Sequence, residues 1–185
     1  MNNAFSKHIT FLALLSGIVV AMIHILSENF NLPGVADLAI ILFGAGAIYG
    51  LFTAVSIYRE FDSKKLSTLV WILASTLSYG LAVQATLLFA PSIVFPNPGP
   101  MEYMLGGLVG ALILVSAAKL IHHLNKKPLP AVNMVVALVC GALIPLLLFA
   151  LIPKGLDILL LCVIWPTVVT AVIFTKKVKN LEHPA

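Results

Sequence analysis

The chain has 185 residues, of which 61% are hydrophobic and 10% are charged. Soluble domains contain about 45–50% apolar and about 25% charged residues, so this composition excludes an ordinary soluble domain and indicates an integral membrane protein. The formal charge of +4 comes from short basic clusters beside apolar runs. Such clusters are typical of topology signals and not of a nucleic-acid-binding surface, so no nucleic acid is expected as a partner.

Six apolar runs lie along the chain, and each is long enough to cross a hydrocarbon core of about 30 Å at about 1.5 Å per helical residue. They cover approximately residues 9–26, 38–58, 66–90, 103–121, 131–152 and 156–174. We therefore predict an all-α integral membrane protein, a bundle of six transmembrane helices that forms a single domain over residues 1–185. The first run is expected to be a retained span and not a signal peptide, because no small-x-small cleavage site follows it.

The third run, 66–90, contains many hydroxyl side chains and one amide. Such groups are useful on a helix that is surrounded by other helices, because they can form hydrogen bonds across the interfaces. We therefore predict that this run is the central, least lipid-exposed span. Its helical spacing is interpreted as placing Thr76, Tyr79 and Gln84 near one face.

The Lys and Arg residues are distributed very unequally between the two sides of the predicted membrane. Assigning the chain ends and loops alternately places ten cations on one side and Lys154 alone on the other. The ten are Lys7, Arg59, Lys64, Lys65, Lys119, Lys126, Lys127, Lys176, Lys177 and Lys179. Because short loops rich in Lys and Arg face the cytoplasm, we predict a protein of the cytoplasmic (inner) membrane with both termini in the cytoplasm.

Prolines mark the second half of the chain. Four of them within 91–100 predict a stiff, extended segment that lies over one end of the bundle. Pro145 and Pro166 lie near the middle of the fifth and sixth spans, where each is expected to free a carbonyl and kink its helix. The tight turn at 153–155 places these two helices side by side. Paired interruptions either mark a transport site or simply shape the bundle.

Polar residues in the outer half of the predicted bundle form the candidate ligand-binding site. His24 ends the first span, and Asp157 begins the sixth. Tyr79 and Gln84 lie on the third span at similar depth, and Trp165 adjoins Pro166 as a stacking surface. His24, Gln84 and Asp157, with Tyr79 at similar depth, are predicted to line a pocket that opens to the outside and is covered by the proline-rich segment. Trp165 is a candidate through the mid-membrane interruption at Pro166.

A structural role explains each of these five residues as well. His24 would be an interfacial imidazole, and Asp157 a carboxylate that offsets the dipole at a helix N-terminus. Hydrogen bonds between helices explain Tyr79 and Gln84, and simple packing explains Trp165.

No motif in the sequence indicates catalysis, a cofactor or a metal. The chain contains no Gly-x-Ser-x-Gly, no His-Glu-x-x-His and no phosphate-binding glycine loop, which favours a protein that is not an enzyme. Asp, Glu, Lys and Arg lie at span ends or in loops, which argues against a proton or cation antiporter. His122 and His123 are adjacent on a helix and make a poor metal pair. Cys140 and Cys162 lie at different depths, so no disulfide is expected.

Small residues at four-residue spacing predict close contacts between helices, either inside the bundle or with partner helices. They are Ala13, Gly17 and Ala21 in the first span and Gly46 and Gly50 in the second. Two functions therefore fit. The first is a multi-pass protein, surrounded by membrane lipid, that binds or transports a small neutral or lipid-like solute. The second is a non-catalytic subunit or assembly partner of a larger membrane complex, or a homo-oligomer.

Six spans, this length and cytoplasmic ends resemble, in overall architecture, the substrate-capture subunits of energy-coupling-factor vitamin transporters. The stripe Ala13, Gly17 and Ala21 is the local feature that supports the resemblance. The resemblance implies a six-helix fold that captures a solute, and it transfers no binding residue to this chain. An intramembrane enzyme is a further alternative for which the sequence offers no set of catalytic residues.

Overall fold

The computed structural model describes residues 3–29, 43–88, 98–153 and 156–175, and these residues form helices joined by turns, with no strand among them. The helices are α1 (Asn3–Asn29), α2 (Ala45–Glu60), α3 (Lys64–Leu88), α4 (Pro100–Leu124), α5 (Ala131–Leu151) and α6 (Leu156–Phe174). The predicted all-α fold class is confirmed. The start of the second predicted span, most of the proline-rich segment and the basic tail lie outside the described residues.

Five helices are long and apolar enough to cross a membrane: α1 over Asn3–Leu26, and α3, α4, α5 and α6 over their full lengths. The helix α2 has 16 residues. A helix needs about 20 residues to cross a bilayer, so α2 as described is too short. The chain therefore has the helices of a multi-pass membrane protein. The count of six crossings and the orientation of the termini stay predictions.

The helices form a closed ring in which each one contacts its neighbours in the sequence and α1 also contacts α6. A smaller contact joins α4 to α6 across the ring. Each described Lys and Arg lies toward the end of the bundle where α1 begins and α6 ends, which we call the basic end. The opposite end, where α1, α3 and α5 end, is called the cavity end.

The hydrophobic core lies toward the basic end. Its largest fully buried side chains are Trp71, Tyr49, Phe61, Phe174, Ile9, Ile57, Leu114 and Ile121. The helix α1 begins six residues before the predicted boundary at residue 9, because Phe5 is buried against the rings of Phe61 and Phe174. An apolar run therefore reports the thickness of the membrane and not the full length of the helix.

Of the five helices that are long enough to cross a membrane, the most enclosed is α4 and not, as predicted, α3. Half of the most apolar window of α4 is buried, against 28% for α3. The outer face of α3 is a row of leucines exposed to the surroundings, at Leu66, Leu69, Leu73, Leu77, Leu81 and Leu88. The hydroxyls of Thr76 and Thr86 donate to carbonyls four residues earlier in α3 itself. They satisfy their hydrogen-bonding capacity within the helix, so their presence does not require a surrounding bundle.

The small-residue stripes are used for packing inside this bundle. A Cβ atom on Gly17 would lie 2.6 Å from the carbonyl oxygen of Cys162 in α6. One on Gly46 would lie 2.5 Å from the carbonyl oxygen of Ser75 in α3. Glycine at these positions allows backbone-to-backbone contact between the helices, as is common in membrane bundles.

Polar contacts join the two turns at the basic end. The Asn125 side-chain carbonyl accepts hydrogen bonds from the backbone N–H and the hydroxyl of Ser63, both at 2.8 Å, and its amide donates to the Ser67 hydroxyl at 3.0 Å. Lys127 donates to the backbone carbonyl of Glu60 at 2.6 Å and forms a salt bridge with its carboxylate at 3.6 Å. These bonds connect the α2–α3 turn to the α4–α5 turn.

Candidate functional site

An apolar cavity of about 250 Å³ lies at the cavity end, directly beyond the core. All six helices contribute to its wall. The lining residues are Val20, Ile23, His24, Ala45, Ile48, Tyr79, Ala82, Val83, Thr86, Tyr103, Gly106, Gly107, Pro145, Phe149, Ile158, Leu161, Cys162 and Trp165. The cavity is partly open to the surroundings and lies in the same half of the bundle as the pocket expected from the sequence.

Three of the five predicted ligand-binding residues line this one cavity: His24, Tyr79 and Trp165. They come from α1, α3 and α6, which are far apart in the sequence. Whether these side chains bind a ligand stays a prediction, but the structure does bring them together around a common space.

Gln84 lies elsewhere. It is exposed and belongs to the outer face of α3, between Leu81 and Leu88. The reason is helical geometry: five residues separate Tyr79 from Gln84, and at 3.6 residues per turn this places them about 140° apart. The expectation that Thr76, Tyr79 and Gln84 share one face was therefore wrong for Gln84.

Asp157 is buried in the first turn of α6 and does not line the cavity, although its neighbour Ile158 does. One of its carboxylate oxygens accepts a hydrogen bond from the backbone N–H of Ile158 at 2.9 Å. A carboxylate at this position interacts favourably with the positive end of the helix dipole. The geometry fits the structural role that the sequence offered as the alternative to ligand binding.

Two aromatic pairs line the cavity at different depths. Tyr79 and Trp165, each nine residues from the nearer end of its helix, meet edge to face with ring centroids 5.7 Å apart. Tyr103 and Phe149 lie within one turn of their helix ends and stack with centroids 3.4 Å apart and planes within 4°. The first pair therefore forms the floor of the cavity and the second forms part of its rim.

The rim residues were missed by the sequence interpretation. Tyr103 entered the sequence analysis only as the start of the fourth span, and Phe149 was not singled out. Aromatic side chains near the adjoining ends of two consecutive antiparallel spans, at the start of one and the end of the next, are nevertheless expected to be neighbours. Thr86 was also missed as a lining residue. It lies seven residues after Tyr79, which is two helical turns and hence the same face.

The two mid-helix prolines explain the position of Trp165. A proline cannot donate to the carbonyl four residues earlier, so Pro145 leaves the carbonyl of Gly141 without its helical partner. The indole N–H of Trp165 donates to that carbonyl at 3.1 Å. The tryptophan is thereby fixed between α5 and α6, and its ring remains available to the cavity.

Pro166 acts in the same way on α6. It frees the carbonyl of Cys162, which is the atom against which Gly17 of α1 packs. Both helices continue through their prolines, and the kinks expected at these positions stay predictions.

The side chains of the cavity wall are nearly all uncharged. Among the described residues that line it, none is Asp, Glu, Lys or Arg, and His24 is the one with a basic side chain. The Cys162 and Cys140 thiols are free, and Cys162 lines the cavity. Within the described ranges, no group of three His, Cys, Asp or Glu side chains could hold a metal ion. The described part of the wall is therefore almost wholly apolar.

In comparisons with known proteins, no family model, no curated protein and no solved structure matches this chain.

Proposed function

We propose that this protein binds a small neutral or lipid-like solute in the cavity at the cavity end of the bundle. The observation that carries the proposal is the cavity itself, a space of about 250 Å³ with an almost wholly apolar wall. Ligand sites are typically concave and lined by hydrophobic and aromatic side chains with a few polar groups. This wall has that composition, with His24, Tyr79, Thr86 and Tyr103 as its polar members.

The proposal includes a membrane topology. The chain crosses the cytoplasmic membrane six times, with both termini and the basic end in the cytoplasm, because short basic loops are retained on that side. The cavity then opens in the extracytoplasmic half of the bilayer. The hydrophobic core fills the bundle toward the basic end, so a solute would enter from the outer side or from the outer leaflet.

The test measures retention of tritiated octan-1-ol by the full chain in lipid nanodiscs, after subtraction of the retention by empty nanodiscs. Octan-1-ol is neutral and lipid-like, and the wild-type protein is expected to retain it saturably. Val83→Phe places a larger side chain at a lining position and is expected to abolish saturable retention.

Val135→Phe is the matched control, because it makes the same chemical change on the exposed face of α5. It is expected to retain the probe as the wild type does. Equal retention by the Val83→Phe variant and the control would refute the proposal. Should Val83→Phe fail to fold, Ala82→Leu fills the same wall with a smaller increment.

The second candidate function is that of a non-catalytic subunit of a larger membrane complex. It is favoured by Gln84, an amide exposed within the leucine row of α3, because amides form hydrogen bonds between membrane helices. It is disfavoured by the use of the glycines of α1 and α2 inside the bundle. Purification in mild detergent tests it: stoichiometric partner proteins that are lost on Gln84→Leu substitution would support this function, and a lone species would oppose it.

A further inference from the structure

The floor of the cavity has a distinctive chemistry. The rings of Tyr79 and Trp165 meet there at 88°, while the stacked pair of Tyr103 and Phe149 lies at the rim. Aromatic surfaces favour offset-stacked or edge-to-face contacts with another ring beyond what simple burial of area provides. Rings at both depths of one apolar space therefore favour a flat aromatic occupant over a flexible chain.

Some polar groups in the deeper part of the cavity wall already form hydrogen bonds within the protein, and one does not. The Trp165 indole donates to the Gly141 carbonyl, and the Thr86 hydroxyl donates to the Ala82 carbonyl at 3.0 Å. Within the described ranges, the side-chain hydrogen bonds of α3 are formed by Ser67, Trp71, Thr76, Ser78 and Thr86. The Tyr79 hydroxyl forms no hydrogen bond with any residue in those ranges.

A hydroxyl without a hydrogen bond in an apolar surrounding costs free energy. Tyr79 lines the cavity, so an occupant whose acceptor reaches the Tyr79 hydroxyl would recover this cost. The bond would also fix the orientation of the occupant, because the other lining donors of the floor are engaged within the protein.

The volume limits the size of the occupant. A cavity of about 150 Å³ holds benzene, which has six non-hydrogen atoms. In proportion, the 250 Å³ of this cavity accommodates about ten non-hydrogen atoms, the size of a two-ring molecule. A whole phospholipid is several times larger. None of the described lining residues is Asp, Glu, Lys or Arg, which favours a neutral molecule, since an unpaired charge is costly to bury.

The geometry points to a specific ligand class: a neutral, planar, one- or two-ring aromatic molecule that accepts a hydrogen bond from the Tyr79 hydroxyl and packs against the Trp165 ring. This inference rests on the proposed function, because it takes the same cavity as the binding site. It adds the shape and the hydrogen-bonding character of the solute.

Three probes of equal size separate these features. Decane, naphthalene and quinoline have ten non-hydrogen atoms each. Decane is a flexible chain, and naphthalene is a planar molecule of two fused rings. Quinoline has the same two fused rings with a ring nitrogen that accepts a hydrogen bond. Their tritiated forms are titrated near neutral pH into the full chain in nanodiscs, with empty nanodiscs subtracted. We expect the affinity to rise from decane to naphthalene and to rise again, by about three- to tenfold, for quinoline, as one hydrogen bond provides.

Tyr79→Phe is the decisive variant. It keeps the ring and removes the hydroxyl, and it breaks no hydrogen bond within the described residues, so the fold is expected to persist. In this variant quinoline should bind no more tightly than naphthalene, while the affinity for naphthalene changes little. A Val83→Phe variant should bind none of the three, and the Val135→Phe control should bind all three as the wild type does.

Each outcome discriminates. If the three probes bind equally, if decane binds best, or if the preference for quinoline survives in the Tyr79→Phe variant, the inference of an aromatic acceptor ligand is overturned. In those cases sensitivity to Val83→Phe still supports the proposed solute-binding function. If no probe, octan-1-ol included, binds above empty nanodiscs, the proposed function and this inference fall together.

Discussion

The hydrogen bond from Trp165 to the carbonyl that Pro145 frees predicts a specific energetic coupling between these two residues. Trp165→Phe removes the indole donor and leaves the Gly141 carbonyl without a partner. Pro145→Ala restores a backbone N–H that can bond the same carbonyl within α5. The tryptophan donor should therefore be needed only while the proline is present.

The magnitude follows from the contact. The bond is 3.1 Å long and buried, and hydrogen bonds inside membrane bundles contribute about 0.6 kcal/mol on average and up to about 1.7 kcal/mol. We expect Trp165→Phe to lower the free energy of unfolding in both backgrounds. The loss should be about 1 kcal/mol smaller in the Pro145→Ala background than in the wild type. The loss of ring volume occurs in both backgrounds and cancels in the double-mutant cycle.

The assay is reversible unfolding in mixed detergent micelles with increasing dodecyl sulfate, followed by far-ultraviolet circular dichroism. Four proteins are compared: the wild type, each single variant and the double variant. Additive losses, within about 0.3–0.5 kcal/mol, would show that the indole does not replace the bond that Pro145 removes. The assignment of Trp165 as a fixed floor of the cavity would then be wrong.

Three further predictions follow from the packing and the topology. Gly46→Ala should lower the free energy of unfolding by about 1–2 kcal/mol through overpacking, because its added Cβ would lie 2.5 Å from the nearest atom. Gly50→Ala should lower it less in the same unfolding assay, because its added Cβ would lie 3.0 Å from the nearest atom. Asn125→Ala should cost about 2 kcal/mol there, because it removes several hydrogen bonds between the two turns. Lys64→Cys should resist a membrane-impermeant maleimide in intact cells that labels Met101→Cys; labelling of both alike would refute the topology.

The fold class was predictable because hydrophobic composition and run length report directly on the solvent of the chain. The same signal could not find the ends of α1, since Phe5 and His8 lie outside the apolar run and are held by tertiary contacts. His8 bonds the Ser56 hydroxyl of α2 at 2.6 Å. The run boundaries reflect lipid, whereas the helix boundaries reflect neighbouring helices.

The number of hydroxyl side chains in a span did not predict how deeply its helix is buried in the bundle. Thr76 bonds its own helix, so a polar side chain does not by itself reveal whether a neighbouring helix is present. Small residues were the better signal: Gly106, Gly107 and Gly110 allow α4 to approach its neighbours closely, and α4 is the most enclosed of the five helices that are long enough to cross a membrane.

The candidate site was predictable in its location and only partly in its membership. The depth of His24, Tyr79 and Trp165 along their spans follows from counting residues, and the structure brings all three together. Membership also depends on rotation about each helix axis. The sequence of one chain fixes that rotation poorly. The error for Gln84 had a different cause, because the five-residue spacing from Tyr79 already places it on another face of α3.

The contact between α1 and α6 has a consequence for the connectivity of the chain. The rings of Phe5 and Phe174 have centroids 5.4 Å apart, so the first and last helices meet beside both ends of the described chain. Proteins whose termini are close tolerate circular permutation. A permuted gene that joins residue 175 to residue 3 through a short linker and starts at α4 should therefore encode the same bundle, because the order of helices around the bundle has no physical beginning.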